Sequence, residues 1–181
     1  MSHKIRFRIL LPVVETVSAA LFGAVGLWQR NQILSQPFFG DQTLWETTAR
    51  FHVWPWPYKF AVISNMPAFL AGALASWPIS TLWPELPEAV QLAPSLVFAP
   101  MLWYWVGRRF DRRWSRVGAL SVLAGTKTPW ILLFVFTAVS LTGAFLPLVY
   151  IGYLPYGAAV WIATVATIYQ MTKRSGTQTP A

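Results

Sequence analysis

Between Lys127 and Lys173 the sequence carries no charged side chain. An apolar stretch of that length, 129–172 at its core, exceeds one membrane span, which takes roughly 20 residues. It must therefore fold back on itself. Pro147, Gly152, Pro155 and Gly157 are the turn signals within it. They divide it into two helices, expected near 129–149 and 155–172.

The rest of the chain is built the same way. Only 11% of its residues are charged and 55% are hydrophobic, against roughly 25% charged in a soluble domain. Two further runs have span length, 9–28 and 89–107. The first follows a basic start, as a signal peptide would, but its apolar run is longer than the usual signal core of about 7–15 residues. It is expected to be a retained span. The formal charge of +8 raises nucleic acid as a partner. However, the basic residues flank apolar runs, as charges beside a membrane do, and nucleic-acid binding is set aside.

Segment 60–83 is ambiguous. Its apolar core, Met66–Trp77, lies between Asn65 and Pro67 on one side and Pro78, Ser80 and Thr81 on the other. That is short for a crossing and reads as a re-entrant or interfacial helix. Charge alone does not decide. With four spans and a cytoplasmic N-terminus, all of the 14 Lys and Arg except Arg30, Arg50 and Lys59 lie inside. With five spans and an external N-terminus, all except Lys4, Arg6 and Arg8 do. Both satisfy the positive-inside bias. Four spans are favoured because the basic stretch Lys4–Arg8 abuts the first run. Connection 29–88 also holds Asp41, Glu46, Glu85 and Glu88, most of the chain's acids.

That connection is expected to form an external cap. Thr43 and Glu46 have capping-box spacing before an amphipathic turn. In "FHVWPWPYKF", Pro55 and Pro57 exclude a continuing helix and bias Trp54 and Trp56 toward extended backbone. Two readings stay open for these aromatics. One is a belt at headgroup depth; the other is a groove for a lipid tail or a quinone-like ring. His52 beside them reads as an interfacial hydrogen-bonding residue.

Glu15 is the one ionisable side chain inside a predicted span. An intramembrane acid is a functional hypothesis by default, as a proton carrier or a partner contact. The alternative is a protonated carboxyl, or one paired with Arg108 or Lys127. Thr137, Ser140, Thr164 and Thr167 are further hydrogen-bonding candidates. In "WYWVGRRFDRRWSR", Arg108, Arg109, Arg112, Arg113 and Arg116 follow an apolar run, and Trp103, Tyr104 and Trp105 read as an interfacial girdle. If the helix continues, Arg108/Arg112 and Arg109/Arg113 form a basic ridge at i, i+4 that Asp111 relieves only in part. The ridge is either a topological anchor or a contact for anionic headgroups on the cytoplasmic side. Small residues four apart (Ala19/Gly23, Ala20/Ala24, Ala159/Ala163) suit close helix packing.

Catalytic patterns are missing. There is no cysteine, the two histidines flank one span, and no phosphate loop, nucleophile elbow or zinc motif occurs. No catalytic residue, metal site or cofactor is expected. "WYWVGRRFDRR" after a proline-bearing span, together with "NMPAFL" upstream, resembles a loose group of small bacterial multi-pass membrane proteins. The resemblance implies the bacterial cytoplasmic (inner) membrane and carries no activity, substrate or cofactor. The expectation is a single membrane domain over 1–181. It is an all-α bundle of four transmembrane helices plus a re-entrant or interfacial external segment, with N- and C-termini cytoplasmic. Its expected role is that of a non-catalytic accessory or scaffold subunit of a larger complex or homo-oligomer. The alternatives are a lipid- or quinone-type binding protein and a small transporter using Glu15.

Overall fold

The computed structural model describes residues 6–35, 54–83, 88–114, 122–146 and 152–173, with the side chains of 88–92, 113–114, 122–129 and 171–173 outside the description. The fold is all-α. Six helices and no strand occur among the described residues: α1 (Phe7–Leu34), α2 (Trp56–Ser64), α3 (Met66–Leu82), α4 (Glu88–Trp114), α5 (Val122–Phe145) and α6 (Tyr153–Lys173).

Helices α1, α4, α5 and α6 are long, with 28, 27, 24 and 21 residues. At about 1.5 Å per residue each exceeds the roughly 30 Å of a bilayer's hydrocarbon core. They alternate in direction. Gly107 near the end of α4 lies against Phe7 and Arg8 at the start of α1. Trp130 in α5 meets Phe7, ring centroids 5.3 Å apart, and Phe145 at the end of α5 stacks on Trp56 at 4.8 Å. The Tyr156 hydroxyl in α6 donates to the Val139 carbonyl in α5 at 2.8 Å. The starts of α1 and α5 thus share an end of the bundle with the close of α4.

Helices α2 and α3 form a pair bent by 94° at Asn65. Helix α2 begins beside the upper half of α1, with Phe60 edge-on to Phe22 at 5.1 Å and Tyr58 against Gly26. Any Cβ at Gly26 would lie 2.5 Å from that of Tyr58, so only glycine lets these two helices approach. Helix α3 then runs antiparallel to α4. Asn65 meets Trp103, and Gly72 meets Ser95. Both outer ends of the pair therefore face the end where α1 closes and α4 begins.

Pro67 causes the break. It has no N–H for the carbonyl of Ile63, four residues back, so the ladder cannot continue. Its fixed φ suits the first turn of a new helix, and it occupies that place in α3.

Several expectations need correction. Pro57 does not exclude helix at Trp56: it sits in the first turn of α2, where no N–H is needed, and Trp56 opens that helix. Pro55, just before it, is extended, at φ −60°, ψ 149°. Pro78, Ser80 and Thr81 do not end the next helix. It continues to Leu82, with the Ser80 and Thr81 hydroxyls both donating to the Trp77 carbonyl. Helix α1 extends past 28 to Leu34, and α4 past 107 to Trp114, so the arginine segment is helical through Arg113. Helix α5 is displaced toward the N-terminus, from the expected 129–149 to Val122–Phe145. Thr43, Glu46 and His52 lie outside the described residues.

Among the described residues one helix, α1, is long and apolar enough to cross a membrane by composition, with mean hydropathy 1.9 over its best window. The α2–α3 pair passes the same test if taken as one unit. Only 17% of the α1 window is buried, unlike a core helix of a soluble protein.

Candidate functional site

Two places gather polar side chains. The first is the end shared by α1 and α4. A Cβ at position 107 would lie 2.5 Å from the Phe7 carbonyl oxygen, so Gly107 lets α4 lie directly on the first turn of α1. One turn further, Asp111 reaches the open N-terminus of α1. The Phe7 N–H donates to Oδ1 at 2.9 Å and the Arg8 N–H to Oδ2 at 3.2 Å. These are donors that a helix start leaves without a partner, and a carboxylate there also meets the positive end of the helix dipole. The Arg8 Nε stands 3.8 Å from Oδ2 on a side chain 44% exposed, and so long and solvent-facing a pair adds little.

Around this cap stand the arginines. Arg108 and Arg112 are exposed, as are Arg6 and Arg8. Arg109 lies 5.2 Å over the Trp105 ring. The side chain of Arg113 lies outside the described residues, as does that of Lys127. Tyr104 and Trp105 are exposed and fit the girdle expected of them. Trp103 does not: it is 2% exposed and turned into the bundle. Sequence reasoning placed it by composition, but position on the helix decides, and Trp103 shares an inward face with Ala99, Val106 and Phe110.

The second place is the bend at Asn65, buried at the centre. Trp103 Nε1 donates to Asn65 Oδ1 at 2.8 Å. Asn65 Nδ2 donates to the Ala61 carbonyl at 3.2 Å and to Ser64 Oγ at 3.0 Å. Trp161 Nε1 donates at 3.0 Å to the Ile63 carbonyl, the acceptor that Pro67 leaves without its helical partner. Phe136 completes a cluster of three rings, edge-on to Trp103 and Trp161 at 5.6 and 5.3 Å. The break is therefore satisfied from α4 and α6, as irregular backbone away from water must be. Sequence reasoning used Asn65 only as a helix breaker and missed Trp161. The signal was present: a proline strips one carbonyl of its donor, and an indole N–H is a donor that needs an acceptor.

Glu15 lies on the inward stripe of α1, between buried Leu11 and Ala19, and is itself half-buried. It makes no ion pair with Arg108 and no hydrogen bond among the described residues. Thr164 and Thr167 bond carbonyls of their own helix, at Val160 and Ala163. Ser140 is fully buried, and its hydroxyl has no partner among the described residues.

A groove of about 240 Å³ opens between α1, α2, α3 and α4. Ala19, Ala20, Gly23 and Ala24 form one wall, and Phe69, Leu96 and Ala99 face them. The small-residue pattern of α1 thus lines a gap rather than a tight helix contact; Gly23 has nothing within 4 Å. Tyr58, Asn65 and Ser95 are the residues with polar side-chain atoms in the lining. A second apolar cavity of about 200 Å³ lies between α4, α5 and α6. Glu15 lines neither.

The outer aromatics pack mainly on protein. Trp54 stacks on Tyr58 at 4.2 Å, and Arg30, only 4% exposed, has its guanidinium 4.1 Å from the Trp54 ring. Trp56 is exposed on one face and lies against Phe22 and Phe145. Among the described residues no group of three His, Cys, Asp or Glu could hold a metal ion. Comparison with protein families, curated proteins and solved structures found no match for this chain.

Proposed function

We propose that the protein is an integral membrane protein of four spans with a re-entrant helix pair, in the bacterial cytoplasmic membrane with both termini cytoplasmic. Its work is non-catalytic, as an accessory or scaffold subunit of a larger membrane complex or of a homo-oligomer. The observation that carries this reading is the outward surface. Leu21 and Trp28 of α1, Trp77 of α3, Met101 of α4, Phe134 of α5 and Ile162 of α6 are each more than 60% exposed. Buried polar side chains are few among the described residues, and two of them, Ser64 and Asn65, sit at the break between α2 and α3. A surface apolar on every long helix suits lipid or a protein partner rather than water. The shared end of α1 and α4 supports the four-span arrangement: a chain whose α1 leaves and whose α4 returns has no crossing left for the pair between them.

The test is purification from the native membrane in a mild detergent, followed by native mass spectrometry. A stoichiometric protein partner or a defined homo-oligomer is expected. A monomer without partner refutes the scaffold reading.

A second reading, a binder of a lipid tail or a quinone-like ring, is favoured by the groove. At about 240 Å³ it exceeds the ~150 Å³ apolar cavity that takes up a benzene ring. A discrete lipid-sized mass on the isolated chain supports that reading. The transporter reading through Glu15 has no comparable observation, since Glu15 lines neither cavity.

A further inference from the structure

The arginine end is not a feature of α4 alone. Hydrogen bonds from the Phe7 and Arg8 amides to Asp111 join the start of α1 to the close of α4. This brings Arg6 and Arg8 beside Arg108, Arg109 and Arg112. Asp111 is the only acid anywhere in 1–8, 105–130 or 171–181. Both its oxygens are engaged by α1. Its charge is therefore directed at a helix terminus and not at Arg108 or Arg112, which stand exposed one turn apart. Exposed Tyr104 and Trp105 mark the adjoining turn, the kind of side chain that sits at headgroup depth.

We propose that this end is a composite binding surface for anionic phospholipid headgroups, built from arginines of both α1 and α4, with Asp111 as the residue that positions the two halves. The proposal rests on the membrane reading above. Charge complementarity carries it: clustered guanidinium groups with no carboxylate left over match phosphate oxygens, which they bind in bidentate fashion. A zwitterionic headgroup offers the phosphate but no net charge.

The experiment uses the full chain, delipidated in detergent and titrated with phosphatidylglycerol or phosphatidylcholine, with bound lipid counted by native mass spectrometry. The wild type is expected to prefer phosphatidylglycerol. Each basic side chain near an anionic surface contributes about fivefold in affinity. Removing two, as Arg6→Gln with Arg8→Gln or as Arg108→Gln with Arg112→Gln, is expected to lower that affinity by at least about tenfold, with phosphatidylcholine binding unchanged. Loss in the α4 pair but not the α1 pair overturns the composite surface.

Asp111→Ala separates positioning from charge. It raises the net positive charge, so simple attraction predicts tighter phosphatidylglycerol binding. The composite surface predicts weaker binding, because the halves come apart. Tighter binding overturns the proposal. Circular dichroism and gel filtration confirm that each variant is folded. Equal retention of both lipids by the wild type also overturns the proposal while leaving the membrane reading intact. That reading fails separately if alkaline washing without detergent strips the protein from its membrane.

Discussion

The bond between Trp103 and Asn65 is the contact on which the bend between α2 and α3 most depends, and its strength can be measured directly. Trp103 is 2% exposed and Asn65 5%, with Nε1 2.8 Å from Oδ1. Trp103→Phe keeps a ring beside Phe136 and Trp161 but removes the donor. Asn65 Oδ1 is then left without its indole partner. Stranding a buried acceptor costs about 1–3 kcal/mol. In a membrane protein the unfolded reference also finds partners, and measured interhelical bonds average about 0.6 kcal/mol with a maximum near 1.7. The bond is short and dry, so the upper part of that range applies, about 1–1.7 kcal/mol. The assay is a double-mutant cycle of Trp103→Phe, Asn65→Leu and the pair, unfolded by sodium dodecyl sulfate in mixed micelles and followed by circular dichroism. The double variant is expected to be less destabilised than the sum of the singles by about that amount. Coupling below about 0.3 kcal/mol, the usual additivity error, would refute the argument that this bond holds the bend.

Other expectations follow from the same contacts. Gly26→Ala places a Cβ 2.5 Å from Tyr58 Cβ and is expected to destabilise by about 1–3 kcal/mol in the same assay. Gly23→Ala, with nothing within 4 Å, is expected to be neutral or stabilising by up to about 1 kcal/mol. Single cysteines at Thr43 and Ser80 are expected to react with an impermeant maleimide in intact cells, and one at Ser115 only after permeabilisation. External labelling at Ser115 would sink both topologies considered. Glu15→Gln is expected to leave yield and unfolding midpoint unchanged; loss of folding or assembly would show that the carboxyl itself is needed.

How much of this was legible from sequence depends on what each residue reads. The regions of the four long helices were legible because apolar runs between charges and turn residues report on solvent, and solvent acts on every residue. Their ends were not. Gln29, Arg30 and Asn31 at one end, and the arginines after Gly107 at the other, look like loop by composition yet stay helical. The bend at Asn65 was legible as a break, because proline acts locally. What fills the break was not, because Trp103 lies 38 residues away and Trp161 contacts Ile63 across 98. The same limit explains the misplaced Trp103. The girdle argument uses only proximity to charge, whereas burial is decided by the face that the residue occupies. For the candidate site, the arginines of α4 were legible as a group. Arg6 and Arg8 were seen as a separate charge, since nothing local ties residue 8 to residue 111.

That tie bears on the one question the charge tally left even. Under the positive-inside rule, four spans and five spans differ only in exchanging Lys4, Arg6 and Arg8 for Arg30, Arg50 and Lys59. The rule cannot separate two sets of equal charge. The Asp111 bonds can bear on it, because they are geometric. Phe7 and Asp111 are within hydrogen-bond reach, so the start of α1 and the close of α4 share a side whatever the charges are. Five spans require those two ends on opposite sides of a membrane. For a chain that crosses with both helices, this supports the four-span arrangement and a pair that enters and leaves on one face. The bend at Asn65, the antiparallel course of α3 along α4 and the indole donors at its tip are what such a pair requires.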